Sequence, residues 1–251
     1  MSRAARITIF GLPLDPISLD ATLASIEAAL SDGRARAHLG LNAANVAAAT
    51  RHADYARDLH AADLVGPDGQ PVVWAARMLG HAVPERVTGI DLMLALLDRA
   101  PERGWRVYLV GGTKPVVAEL ARRLERRGVV VAGYRDGYFP PHEDADVART
   151  VAASGAQLLF VGMPSPRKER FIIGAARPAG VPYSVAVGGA FDVLAGRVRR
   201  APRVMRRIGL EWAFRLVQEP RRLLVRYAVS NMRFLALVAR ELLTRRRSRR
   251  T

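Results

Sequence analysis

The sequence contains no cysteine, which excludes a disulfide framework and any thiolate-bound metal and gives no support for secretion. Lysine is almost absent: two lysines, Lys114 and Lys168, stand against 37 arginines. Aromatic residues make up only 6% of the chain, few for stacking on nucleic-acid bases. No apolar run approaches the ~18 residues that a membrane-spanning helix needs. The stretch 234–239 is far too short, and the N-terminal apolar stretch is broken by Gly11, Pro13 and Asp15, unlike a signal peptide. These absences make a cytoplasmic protein the expectation. Acidic residues are scarce in one region above all. Residues 197–251 hold 17 arginines against Glu211, Glu219 and Glu241 and no aspartate, a net +14 where the whole chain carries +16. Charge of one sign gathered at one end describes a polyanionic partner rather than a core.

What is present is a globular chain: 50% of its 251 residues are hydrophobic, enough for one large domain with an appendage. Short strands are expected at 7–10, 37–41, 63–65, 107–110, 129–132, 158–161 and 185–187, and helices at 18–30, 43–50, 71–79, 89–99, 115–127, 143–153 and 169–177. Asn42 stands at a natural N-cap position. From Arg106 strands and helices alternate regularly, which argues for an α/β fold with a Rossmann-like, mostly parallel sheet. We therefore expect a core over residues 1–196, in two lobes meeting near 100–105, and an all-helical basic appendage over 197–251. Pro202 and Pro220 punctuate the appendage into helices of about 203–218 and 221–244. On the second, with Arg222 at zero, Arg226, Arg233 and Arg240 fall within about 40° of one another, while Leu224, Tyr227, Phe234, Leu235, Val238 and Leu242 fall at about 120–220°. One face is an arginine ladder and the other is oily.

The chemistry-bearing residues sit at strand ends. Gly111-Gly112 and Gly188-Gly189 are glycine turns between a strand and a helix, either ordinary tight turns or cradles for an anion. Neither is a dinucleotide fingerprint or a P-loop. Asp68, in Pro67-Asp68-Gly69, is placed either as a general base that activates a hydroxyl or as a plain turn residue. Asp144 and Asp146 invite a metal reading, but they begin an exposed helix, where acids suit the dipole. The five histidines show no metal spacing. In the stretch 163–171, Arg167, Lys168 and Arg170 crowd a helix start where cations oppose the dipole; Glu169 or a bound diphosphate would compensate.

Taken together, several stretches resemble the WecG/TagA/CpsF bacterial glycosyltransferases. They are the segment around Asn42, Pro67-Asp68-Gly69, 85–91 with Arg86 and Asp91, Gly111-Gly112, 137–139, 161–169, 188–192, and 200–227 with Glu211 and Trp212, in order along the chain. The resemblance implies an inverting, metal-independent enzyme with no cofactor, taking a hexosamine or uronic acid from a UDP-sugar to a polyprenyl-diphosphate-linked saccharide at the inner face of the membrane. It implies Asp68 as the base, Asn42 and Arg86 as parts of the site, with Arg86 beside the donor diphosphate, and Gly137, Tyr138 and Asp192 as donor-pocket positions. Arg215, Arg222 and Arg226 would belong to a membrane-docking appendage that completes the site. Two positions depart from the family pattern: Gly40 replaces a common threonine, and Lys168 replaces a neutral amide. The expectation for Lys168 is contact with an acidic sugar or a phosphate. The rival reading is a nucleic-acid-binding protein with an arginine tail on a Rossmann-like core; a third is an inactive scaffold of a polysaccharide complex.

Overall fold

The computed structural model describes residues 5–207, 209–218 and 220–248, without the side chains of 203, 207, 215, 220–227 and 245–248. A hairpin of β1 (Ile7–Ile9) and β2 (Leu12–Leu14) opens the chain, turning through Phe10 and Gly11, both at positive φ, as a tight two-residue hairpin requires. There follow α1 (Leu19–Ser31), β3 (Arg36–Leu41), α2 (Ala43–Ala49), α3 (Ala53–Ala61), β4 (Leu64–Pro67), α4 (Gln70–Met78), α5 (Gly89–Arg103), β5 (Arg106–Gly111) and α6 (Lys114–Glu125). Then come β6 (Val130–Arg135), α7 (Asp144–Ala153), β7 (Leu158–Gly162), α8 (Arg167–Phe171) running into a π-helical turn (Ile172–Ala176), β8 (Tyr183–Ala186) and α9 (Ala190–Leu194). The appendage contains α10 (Arg203–Arg207), α11 (Glu211–Gln218) and α12 (Pro220–Ser248).

Six strands form one parallel sheet in the order β4-β3-β8-β7-β5-β6. Successive side chains of a strand point to opposite faces, and the core divides accordingly. Val107 and Leu109 of β5 and Leu158 and Phe160 of β7 join α1, α5, α6 and α9 on one face; Tyr108, Val110, Leu159 and Val161 join α2, α3, α7 and α8 on the other. Gly104 and Trp105 link α5 to β5, at the place expected to divide two lobes, and the chain on either side of them contributes to the same sheet. The neighbours β5 and β7 are followed by helices on opposite faces, which makes the C-terminal edge between them a topological switch point, the usual ligand crevice of such sheets.

The appendage differs from its sequence reading in two respects. Its first expected helix is two, because Gly209 turns at a φ of 77°; a Cβ there would stand 2.6 Å from Gln70 Cγ, so only glycine lets the turn press against α4. The oily face of α12 is divided. Phe234 and Val238 are buried in the core with α2, and the Phe234 ring meets Phe10 edge-on at 5.6 Å. Leu242 of that face packs partly buried against the same core and Leu235 stays exposed, while Val229, Met232 and Leu243, which the same wheel turns toward the arginines, are exposed on the side of Arg233 and Arg240. Part of the stripe is thus consumed by folding, and the surface left outside mixes apolar and cationic residues. No helix among the described residues is long and apolar enough to cross a membrane.

Candidate functional site

Asn42 caps α2 as its sequence position predicts. Its Oδ1 accepts from the N–H groups of Ala44 and Asn45, both at 3.1 Å, which turns its Nδ2 toward Asp68 Oδ2 at 3.2 Å. The other carboxylate oxygen of Asp68 accepts the Gly89 N–H at 3.0 Å. Each oxygen therefore has one donor, with lone pairs to spare, so the half-buried carboxylate is oriented yet able to accept a further proton. The turn carrying it is fixed by its backbone: the N–H groups of Asp68 and Gly69 both reach the Leu41 carbonyl, and Val87 N–H reaches the Pro67 carbonyl. Gly40 explains itself here. A Cβ on it would lie 2.8 Å from Asp68 Cβ, so in this chain glycine is what lets the carboxylate sit against β3.

Gly89 is pressed onto the end of β8, where a Cβ would meet the Ala186 oxygen at 3.0 Å. The Gly188-Gly189 turn follows at once, with Gly188 at φ 52°, and leads into α9, where the Asp192 carbonyl accepts from the N–H groups of Arg197 and Val198. Beyond β8 lies the glycine crevice of the switch point. Gly111 has φ 142°, and a Cβ on it would stand 2.5 Å from the Gly162 carbonyl. The Gly112 N–H reaches the Gly162 carbonyl and the Gly137 N–H reaches the Gly112 carbonyl, so three loops cross at van der Waals distance. Gly111→Ala is expected to cost several kcal/mol, from overlap plus a disfavoured backbone, visible as a lowered midpoint in urea unfolding. Tyr138 stands on the rim, 79% exposed.

Lys168 and Glu169 are both buried. Glu169 Oε1 accepts from Ser165 Oγ at 2.8 Å, Tyr55 Oη at 3.1 Å, Asn45 Nδ2 at 3.3 Å and the Lys168 ammonium. Burial, and then the Glu169 charge, push the Tyr55 phenol far above its ordinary range, so it remains a donor. Asn45 also reaches the Gly40 carbonyl, tying this network to the strand under Asp68. The cations of α8 thus find protein anions: Arg167 pairs with Asp144 and lies over the Phe139 ring, and Arg170 lies 3.6 Å from Asp54. Lys168 is bonded to Ser165 Oγ and to Glu169 Oε1. Asp144 and Asp146 are in ion pairs with Arg167 and Arg149, and among the described residues no group of three or more His, Asp or Glu is placed to hold a metal.

Arg86 joins the core to the appendage. It donates to Glu211 Oε2 and to the Arg206 carbonyl, at 3.3 and 3.2 Å. Five residues further on, Asp91 donates its N–H to the N-cap Thr88 Oγ1, accepts the Thr88 hydroxyl on Oδ2, and pairs with Arg200 and Arg206. Burial opposes the Asp91 charge, but the Thr88 hydroxyl and Arg200 outweigh it and hold the carboxyl below its usual range. This pairing adds stability above the ordinary aspartate range and loses it as pH falls through the lowered value. Asp91, Arg200, Arg206 and Glu211 received no role from sequence; the first, second and last lie in stretches that carry the family resemblance, which was the available signal. The side chains of Arg215, Arg222 and Arg226 lie outside the described residues.

The site residues thus form two adjoining groups on one edge of the sheet: Asn42, Asp68 and Arg86 beyond β3 and β4, and the glycine crevice beyond β5 and β7, with β8 between them. Residues 7–248 match the glycosyl transferase WecG/TagA/CpsF family. The chain is 38% identical over 170 residues to an N-acetylglucosaminyldiphosphoundecaprenol N-acetyl-beta-D-mannosaminyltransferase of Bacillus spizizenii. That match covers 67% of this chain and 65% of the relative, a little under two thirds of the relative's own length.

Proposed function

The chain belongs to the glycosyl transferase WecG/TagA/CpsF family, and from that premise we propose that it transfers an N-acetylhexosamine, of the N-acetylmannosamine type, from a UDP-sugar to a polyprenyl-diphosphate-linked saccharide. The observation that carries this reading is the carboxylate of Asp68, aimed by Asn42 and Gly89 beside Arg86 and next to a glycine crevice at the switch point.

In this reading Asp68 takes the proton of the acceptor hydroxyl. The acceptor oxygen forms a bond to the anomeric carbon from the face opposite the leaving group, the bond from that carbon to the UDP oxygen breaks, and configuration inverts. UDP departs with the electron pair. Arg86 and the backbone N–H groups of the crevice stabilise the negative charge that develops on it, with no metal required. The relative's printed name supports the choice of sugar and acceptor class. The test is turnover of UDP-N-acetylmannosamine with a short-chain prenyl-diphosphate-linked N-acetylglucosamine, read by mass spectrometry. Absence of sugar transfer with any UDP-hexosamine or UDP-uronic acid would overturn it.

We also propose that the enzyme works peripherally on the inner membrane face. Exposed Met232, Leu235 and Leu243 lie beside exposed arginines on α12, and exposed Trp74, Met78 and Trp212 lie near the appendage turn; such a mixture suits an anionic headgroup layer. Flotation with anionic liposomes is expected to carry the protein, and Met232→Ser/Leu235→Ser to reduce the bound fraction severalfold at equal salt. Retention on duplex DNA in preference to such liposomes would favour the nucleic-acid reading instead.

A further inference from the structure

Where the appendage meets the loop 85–91, three guanidinium groups surround two carboxylates. Arg86 faces Glu211, and Arg200 and Arg206 share Asp91. The cluster is unbalanced in two ways. Among the described side chains it holds three positive charges against two negative ones. The Nε atoms of Arg200 and Arg206 are buried with no hydrogen-bond acceptor among the described residues, although a guanidinium N–H withdrawn from water strongly favours an acceptor. The side chains of Arg86, Glu211, Arg200 and Arg206 are 13, 12, 19 and 23% exposed. They are shielded enough for charge to be strongly felt, yet reachable by a small anion.

The two acids are held unequally. Asp91 is fixed by the Thr88 hydroxyl, its own capping N–H and two arginines. Among the described residues Glu211 has one contact, with Arg86 at 3.3 Å, and it begins α11, where an acidic residue is favoured with or without a partner. Glu211 is therefore the group that can leave. If it does, Arg86, Arg200 and Arg206 against Asp91 leave two uncompensated positive charges. A diphosphate that bridges two organic groups carries one negative charge on each phosphorus and would neutralise them.

We propose that Arg86, Arg200 and Arg206 form a diphosphate subsite, and that Glu211 is an internal stand-in for the ligand, holding Arg86 while the subsite is empty and yielding when a diphosphate arrives. The inference rests on the transferase reading, in which donor and acceptor both contain such a diphosphate. The loop 85–91 that carries Arg86 and Asp91 also supplies the Gly89 N–H that orients Asp68, which ties the subsite to the proposed base. An ion-pair clasp that merely pins the appendage is the competing account, and it makes the opposite prediction for Glu211.

The test is calorimetric titration of the full chain with inorganic pyrophosphate, UDP and a short-chain prenyl diphosphate. Glu211→Gln removes the competitor and is expected to tighten pyrophosphate binding about fivefold, the order of a partly screened ion pair. Arg200→Gln and Arg206→Gln are expected to weaken it by at least as much, with Arg206→Lys in between because it keeps the charge and loses the fork. Thermal melts accompany each variant, and if a glutamine variant fails to fold its lysine counterpart decides. Unchanged or weaker pyrophosphate binding in a folded Glu211→Gln protein overturns the proposal. Whichever of UDP and the prenyl diphosphate shares the tightening identifies the source of the ligand. Tightened pyrophosphate binding without sugar transfer would leave the subsite standing and remove the transferase reading.

Discussion

Asp68→Asn is expected to lower turnover by about 10²- to 10⁴-fold, the range associated with a positioned general base, while the dissociation constant for UDP-sugar changes by no more than a few-fold. Asparagine is isosteric, its carbonyl oxygen keeps the Gly89 N–H, and the Asn42 side chain retains its α2 cap through Oδ1. Its NH2 group then faces Asn42 Nδ2, donor to donor, so the contact between the two side chains is lost. The carboxylate's ability to accept the acceptor's proton disappears with it. Steady-state rates of UDP release, with donor affinity measured separately by calorimetry, distinguish lost chemistry from lost binding. Turnover near the wild-type rate would remove Asp68 as the base and leave the carboxylate as part of a turn.

A chain ending at Gly196 is expected to lose at least about 100-fold in turnover even on a soluble short-chain acceptor, since displacement of a catalytic group by an ångström can cost that much. The truncation removes both partners of Arg86, Glu211 and the Arg206 carbonyl, and releases the cations held by Asp91. It also uncovers Phe10 and α2 by taking away Phe234 and Val238, so a chain ending at Gln218 is the necessary companion. That version keeps the Arg86 contacts and loses α12 with Arg222 and Arg226, and it is expected to lose liposome binding. Retained turnover on the short-chain acceptor assigns the catalytic requirement to the Arg86 contacts, whereas lost turnover assigns it to Arg222 and Arg226. If the shorter chain also lost liposome binding alone, the appendage would be an anchor and nothing more.

Local features of this chain were legible in its sequence because local physics decides them. The strand–helix alternation, the Asn42 cap, the Pro67-Asp68-Gly69 turn at a strand end and the glycine turn at Gly111-Gly112 depend on neighbours a few residues away. The clasp between Arg86 and Glu211 joins positions 125 residues apart, and nothing in charge counting singles out Glu211 from the other glutamates. Lys168 reads as an exposed cation at a helix start; its burial against Glu169 follows from α2 and α3 packing over it, with Tyr55 and Asn45 arriving from 114 and 124 residues away. The helical wheel of α12 placed Phe234 and Val238 away from Arg233 and Arg240, but a wheel does not say whether an oily face meets lipid or protein. Here Phe234 and Val238 meet protein. The short α3 and α9 were missed as separate helices because each follows closely on another element.

The placement of β8 sets the order in which the protein can become an enzyme. Tyr183 pairs with Arg36 on one side and with Leu158 on the other, so four late residues join a pair of strands that carries Asp68 to a trio that carries the glycine crevice. Until that segment inserts, the growing chain holds two fragments with unpaired inner edges, a topology that is slow to close and exposed to mispairing. The Asp68 carboxylate and the glycine crevice therefore share one sheet only once β8 has paired with both β3 and β7.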